Sequence, residues 1–271
     1  MRDDGVLNLG KEALREIATP VVEAAGNPKE PFGIYVFGAD EPEAELARAI
    51  ERQVFLEVFG NPAELLAEEY GPYEDTTVFF VVIDHRRRLP AGQMRLILPS
   101  ERGLKTFHDI GAVWGADPDR VLAATDPDVD PALVWDVATL AVEAEYRGSA
   151  TDGLVSIALQ QTLVQSVLVG EGRWLVSILD LKPLELIQMF AAAPFHRFAG
   201  LDPLSYLDSP LSVPVIVDFR EWEPRLLADN PNSYDILWRG TGIEHAMRPP
   251  AWAALARTLG KEPARPVLVR R

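Results

Sequence analysis

The stretch from Trp135 to Leu154, WDVATLAVEAEYRGSATDGL, constrains the fold more than any other. Leu133 to Val142 is apolar and rich in valine, with Asp136 as its only charge, which predicts a strand buried on both faces. From Leu154 to Val169 the apolar positions move to helical spacing, as in Leu154, Ile157, Ala158 and Leu168. Between strand and helix lies Arg147-Gly148-Ser149-Ala150-Thr151-Asp152-Gly153, a small-residue turn. Backbone N–H groups converge where such a turn opens a helix, so the turn is a natural seat for an anion.

Composition narrows the function classes. A chain of 271 residues, 48% hydrophobic, can bury a full core as one large domain or two small ones. No apolar run reaches membrane-spanning length, and MRDDGVLNLGKE lacks the core of a signal peptide, so a soluble cytoplasmic protein is expected. The absence of cysteine excludes disulfides, thiolate metal sites and a cysteine nucleophile. A net charge of -15 disfavours wholesale binding to nucleic acid or to a membrane. The C-terminal tail from Arg257 to Arg271 runs the other way, with Lys261, Arg265, Arg270 and Arg271 against Glu262, and reads as a solvated basic tail.

Residues 1–32 read as a helical appendage closed by Asn27-Pro28 and Pro31. A strand at Gly33 to Phe37 is followed by a helix from Glu43 to Phe59, with Leu46, Ile50, Val54 and Val58 on one face, and by a short helix from Ala63 to Glu69. Thr77 to Ile83 and Gln93 to Leu98 form a hairpin around a polar turn. Residues 99–131 lack a long periodic element and read as a loop. Strands at Arg173 to Leu179 and Val213 to Phe219 flank a helix from Pro183 to Ala193. The expected architecture is α/β (α+β), a mixed, mostly antiparallel sheet of six or seven strands flanked by helices, with residues 33–225 as its body and 226–271 as an extension.

Familiar catalytic motifs are missing. Asp126, Asp128 and Asp130 imitate the start of a calcium loop, but Pro131 replaces its glycine and Val137 its closing glutamate. His85, His108, His196 and His245 show no zinc spacing. There is no GxSxG elbow and no P-loop, and Gly240 to Gly242 lacks a dinucleotide fingerprint.

The element order, with LAVEAEYRGSATDGL, resembles the GNAT superfamily of acyl-CoA N-acyltransferases, whose fourth strand leads through a [QR]-x-x-G-x-[GA] turn into a helix that holds the CoA pyrophosphate. The resemblance implies a thioester lying between splayed fourth and fifth strands, here Leu133 to Val142 and Arg173 to Leu179. It further implies that the backbone of Ala141 and Val142 pairs with the pantetheine arm. The pyrophosphate would fall to Arg147, Gly148, Ser149, Ala150, Thr151, Asp152 and Gly153, and the amine proton to Asp136 or Glu143. Ala150 stands where the family has its central glycine, Asp152 puts a negative charge beside the anion seat, and Phe190 stands where many members carry a proton-donating tyrosine. The plainer reading of the turn is that Thr151 or Asp152 caps an ordinary helix.

Three further segments, ERQVFLEVFG, AGQMRLILPS and VWDVATLAV, are similar to the acyl-homoserine lactone and N-acyl amino acid synthases, a GNAT-like branch. Arg52, Phe55, Arg95 and Asp136 match that branch's patterns, and Thr139 replaces an arginine. The implied function is transfer of an acyl group from acyl-CoA or an acyl carrier protein to a small amine or amino acid, by an enzyme compatible with a homodimer. The cleft's apolar helices would admit a chain longer than acetyl. The alternative is a ligand-binding protein on the same scaffold that has lost the chemistry.

Overall fold

The computed structural model describes residues 9–251 and 256–257. Its elements run α1 (Lys11–Ala24), β1 (Phe32–Gly38), α2 (Glu45–Phe59), α3 (Ala63–Tyr70), β2 (Thr77–Asp84), β3 (Leu89–Ile97), α4 (Lys105–Trp114), α5 (Pro118–Thr125) and β4 (Val134–Val142). They continue with α6 (Leu154–Gly170), β5 (Trp174–Asp180), α7 (Leu181–Ala191), β6 (His196–Arg197), β7 (Leu204–Tyr206), β8 (Ser209–Asp218), α8 (Phe219–Asp229), α9 (Pro231–Leu237) and β9 (Met247–Arg248). The strands join one sheet in the order β6-β8-β5-β4-β3-β2-β1-β9, with β7 also pairing β8. Six strands are long and correspond to the six expected, while β6, β7 and β9 are pieces of two or three residues. Pairing is antiparallel except for β1 with β9 and β4 with β5.

Both faces of the sheet are covered, which is why β2, TVFFVVID, is buried along its whole length rather than alternating. On one face Leu14, Ala18 and Val22 of α1 and Leu46 and Ala47 of α2 pack against Tyr35, Phe37, Phe79 and Val81. The N-terminal helix is thus packed into the core. On the other face Val155, Ala158 and Leu159 of α6, with Trp222, Leu226 and Leu237, cover Ile34, Val36, Phe80 and Leu96. The α6 helix is apolar nearly all round because it lies between the sheet and α9. Two of its few polar residues have a task there: Gln161 Nε2 donates to Ile236 O, and Gln165 Nε2 to Leu237 O and Trp238 O, closing carbonyls at the end of α9.

The stretch expected as a loop holds α4 and α5. Their start signals differ: Leu104 opens α4 without a side-chain cap, whereas Asp117 accepts from the N–H groups of Asp119 and Arg120, with Pro118 opening α5. Of the basic tail only Arg257 lies among the described residues with its side chain contacts, donating to Glu41 Oε1 at 2.9 Å; Lys261, Arg265, Arg270 and Arg271 lie outside them. Among the described residues no helix is long and apolar enough to cross a membrane.

Candidate active site

Strands β4 and β5 run side by side for only three residue pairs, Val134 with Trp174, Trp135 with Leu175 and Asp136 with Val176, and then part. The parting coincides with an irregularity on the other edge of β4. There Leu96 faces Val137 and Arg95 faces Thr139, so Ala138 has no opposite residue. Such a bulge bends a strand and increases its twist, turning the end of β4 away from β5. Ser177 Oγ donates to Val137 O at 2.7 Å and holds the vertex. The bulge also resets the alternation, so that Asp136 and Thr139, three apart in sequence, share the face of Ile97 and Arg95.

A cavity of about 310 Å³ opens between the parted strands. On β4 its walls are Val137, Ala138, Thr139 and Leu140; on β5 they run from Leu175 to Asp180, and Phe55, Phe59, Leu163 and Ile187 close it from the helices. Polar groups are few, and several are bonded to neighbouring side chains. Asp180 Oδ1 accepts from Ser209 Oγ and Ser212 Oγ. The hydroxyl of Tyr206 donates to Asp109 at 2.5 Å and accepts from Lys105 Nζ at 3.1 Å, while Lys105, itself buried, also bonds Glu69 and Asp109. Burial raises the Tyr206 pKa, so its phenol stays protonated at neutral pH.

On the far side of Thr139 lies a cluster of charges. Arg95 is 2% exposed; its Nε and Nη2 bond the two oxygens of Glu51 at 3.0 and 2.7 Å, and its Nη1 bonds Glu74 at 2.7 Å. Burial alone would lower the Arg95 pKa, but the carboxylates of Glu51 and Glu74 outweigh it and hold the pKa above its ordinary value. Burial likewise acts to raise Glu74, and Arg95 with Arg48 overrides it, leaving that carboxyl below its usual range. Thr139 Oγ1 donates to Glu51 and accepts from Gln93 Nε2, which ties the cluster to the cavity wall.

Of the residues proposed from the sequence, Arg95 lies in the charged cluster, and Asp136, Ala141, Val142, Glu143 and 147–153 do not line the cavity between β4 and β5. Arg95 and Thr139 meet through Glu51. Asp136, 1% exposed, turns its carboxylate to α4, where Thr106 N and Oγ1 donate to it at 2.7 and 2.9 Å. Burial raises its pKa to about 6 against those bonds. Glu143 lies past the end of β4, half-buried, accepting from Gln53 Nε2 at 3.0 Å, with its pKa raised by burial. Ala141 and Val142 follow the last cavity-lining residue, Leu140; Ala141 packs with Ile50 and Val54 under α2, and Val142 joins the core beneath α6. Phe190 packs on that same core.

The glycine turn is largely exposed at Gly148, Ser149, Ala150 and Asp152. Gly148, Asp152 and Gly153 have φ of 55°, 50° and 74°, the left-handed region that suits glycine and that aspartate occupies at a cost. Gly153 is the residue that precedes α6, and no side chain caps the helix. Thr151 Oγ1 instead donates to Tyr146 O at 2.7 Å, so the simple capping reading does not hold. Arg147 donates from Nε to Val142 O at 2.6 Å, and its Nη2 lies 3.9 Å from Glu57.

Sequence reasoning missed Glu51, Glu74, Lys105 and Tyr206. Glu51 had a signal: it stands four residues after Ala47 and three before Val54, on the apolar face of α2, where a charge needs a buried partner.

No protein-family model matches the sequence, and no curated protein matches it. Solved structures do match in shape. FeeM, an N-acyl amino acid synthase from uncultured soil microbes, superposes with a TM-score of 0.53 over 74% of this chain and 97% of its own, at 15% identity. The CoA-dependent acyl-homoserine lactone synthase BjaI, solved with SAM and isopentyl-CoA, gives a TM-score of 0.50 over 83% of this chain and 97% of its own, at 18% identity. At such identities the likeness is one of fold, and the chain has a GNAT-like fold, with its central strands parted as the resemblance implies.

Proposed function

We propose that this chain transfers an acyl group from a CoA thioester to the amine of a small molecule. The observation that carries the reading is the parting of β4 from β5 around an apolar cavity of about 310 Å³. A cavity of that size and lining suits an acyl chain longer than acetyl. The same fold serves acyl transfer in FeeM and in BjaI, which supports the reading.

The reaction needs little covalent help. The amine lone pair forms the N–C bond, the C–S bond breaks with its electrons on sulfur, and the proton shed by nitrogen passes to a carboxylate and then to the thiolate or solvent. Glu143 is the proposed proton acceptor, its pKa raised by burial, while Asp136, enclosed with its carboxylate on Thr106, fastens α4 to β4. Arg95 orders the cavity wall at Thr139 through Glu51. Arg147 and the backbone from Gly148 to Gly153 receive the pyrophosphate, and Ala141 and Val142 guide the pantetheine arm. Residues 33–225 carry the machinery, with 1–32 as a helical appendage and 226–271 as a C-terminal extension. An acyl carrier protein as donor, a homodimer and a cytoplasmic location are parts of the same proposal.

A second reading, a ligand-binding protein without turnover, draws on Phe190 in place of a proton donor and on the acids Asp152 and Glu57 near the anion seat. Thiol release from a series of acyl-CoAs, measured with mixed amine acceptors, separates the two. Release above the hydrolytic background supports transfer, and tight acyl-CoA binding without release supports the second reading.

A further inference from the structure

The cavity between β4 and β5 has two unlike sides. Residues of β5 alternate between the faces of the sheet: Leu175 joins Met94, Leu163 and Trp222 beneath α6, while Val176, opposite Asp136, joins Ile97 on the other face. The side beneath α6 is apolar apart from Gln160 and from Ser177, whose hydroxyl is bonded to Val137 O. The other side is polar. Asp180 lies four residues beyond Val176 on an unbroken pairing with β8, so it shares that face with Val176 and Thr139. It is the one acid among the described residues that line the cavity.

The carboxylate of Asp180 is held by one oxygen. Its Oδ1 accepts from Ser209 Oγ at 2.5 Å and from Ser212 Oγ at 2.6 Å, both serines being buried on β8. Oδ2 has no hydrogen-bond partner among the described residues. Asp180 stands at the start of α7, where an aspartate ordinarily accepts a backbone N–H, yet its side chain makes no capping bond, and Pro183 has no N–H to offer. No lysine, arginine or histidine is among the described residues that line the cavity. Lys105, bonded to the Tyr206 hydroxyl, is neutralised by Glu69 and Asp109, and Lys182 is exposed and outside the lining. A carboxylate brought here would face Asp180 with no cation to offset its desolvation, whereas an ammonium meets a fixed acceptor of opposite charge.

We infer that Asp180 binds the acyl acceptor through its ammonium group, and that the acceptor is an amine without a carboxylate. The inference rests on the acyl-transfer reading above and names the acceptor class within it. The acceptor nitrogen lies on the polar side of the cavity and the acyl chain beneath α6. The ammonium gives up one proton through Oδ2 to solvent before its lone pair forms the N–C bond, and the second proton, shed as the C–S bond breaks, follows the route given above.

The test pairs phenethylamine with phenylalanine, tryptamine with tryptophan and isopentylamine with leucine, the members of each pair differing by one carboxylate, and follows thiol release from a long-chain acyl-CoA. Wild type should favour at least one amine over its amino acid by about tenfold or more in kcat/KM, since the carboxylate stays unpaired. Asp180→Asn keeps the size of the side chain and an oxygen for Ser209 and Ser212. It should raise the KM for that amine by about tenfold, change kcat less, and narrow the ratio. Wild type using the amino acids as well as or better than the amines, or an amine KM unmoved in Asp180→Asn, would overturn the inference while acyl transfer stood. Where none of the six promotes thiol release, thermal shift with the same six and no acyl-CoA decides the site. Stabilisation of wild type by an amine, lost in Asp180→Asn, upholds it; stabilisation by no amine, or equal stabilisation of the variant, overturns it. Failure of acyl transfer itself is read separately, from the mixed acceptors above.

Discussion

The two spaces on either side of Thr139 are similar in volume, about 310 and 330 Å³, and opposite in construction. One is held open by backbone: a bulge at Ala138 and the loss of pairing beyond Asp136 leave a gap lined by Val137, Leu140, Ile178 and Leu179. The other is held open by charge: Arg95 bridges Glu51 and Glu74, and Arg48 braces Glu74. The difference teaches where substitutions are tolerated. An apolar gap can be filled without leaving any charge unpaired, whereas removing one member of a buried ion cluster strands the others.

The most severe way to break the contrast is Arg95→Leu, which leaves Glu51 buried without its partner. Loss of about 3–5 kcal/mol in urea unfolding is expected, the range for breaking a buried pair. A loss below about 1 kcal/mol would mean that the cluster does not hold the charged cavity together.

Asp136 sharpens the contrast through pH. Its pKa in the folded chain, raised to about 6 by burial, exceeds the unfolded value of roughly 3.9, so the native state binds the extra proton between those values. Stability contributed by this group therefore falls as pH rises through that window, by about 3 kcal/mol in full at about 1.4 kcal/mol per pKa unit. Asp136→Asn, which cannot titrate, should gain on wild type by about that amount between about pH 4 and pH 8. A stability difference that stays flat over that range would contradict the burial argument.

On the apolar side, Ile178→Trp adds bulk to a half-buried residue of the cavity wall. Affinity for long-chain acyl-CoA should fall by about tenfold, some 1.4 kcal/mol, with unfolding changed less than that. Calorimetry showing unchanged long-chain affinity would put the acyl chain elsewhere.

The smallest effect is at Asp152. Glycine there relieves a φ of 50° but removes a favourable charge from the start of α6, so the net stability change should stay within about 1 kcal/mol. CoA binding should tighten, and the gain should shrink with salt, since charges screen over about 10 Å at 0.1 M. A gain that persists at high salt would assign the effect to backbone geometry instead of charge.

The legible part of this molecule was the part governed by periodicity. The six long strands, α2 and α3 follow from apolar spacing and α6 from the glycine turn that opens it, while the parting of the central strands was implied by the family resemblance. Helices α4 and α5 escaped because Gly115 and Pro118 break the stretch between them and Leu104 offers α4 no side-chain cap, although Asp117 caps α5. The charged cavity escaped for a different reason. Glu51 and Glu74 are 23 positions apart and meet only because Arg95 lies between them on β3, and the bulge at Ala138 brings Thr139 to that face in a way that strict alternation forbids.

The central claim is that an acyl thioester occupies the gap between β4 and β5, with its diphosphate at the turn before α6. Amide hydrogen exchange with and without a saturating long-chain acyl-CoA tests it directly. Slowed exchange should appear in 137–140, in 176–180 and in 148–156, with 77–84 of the central sheet unchanged. Tight binding that leaves 137–140 and 176–180 unprotected would contradict the account.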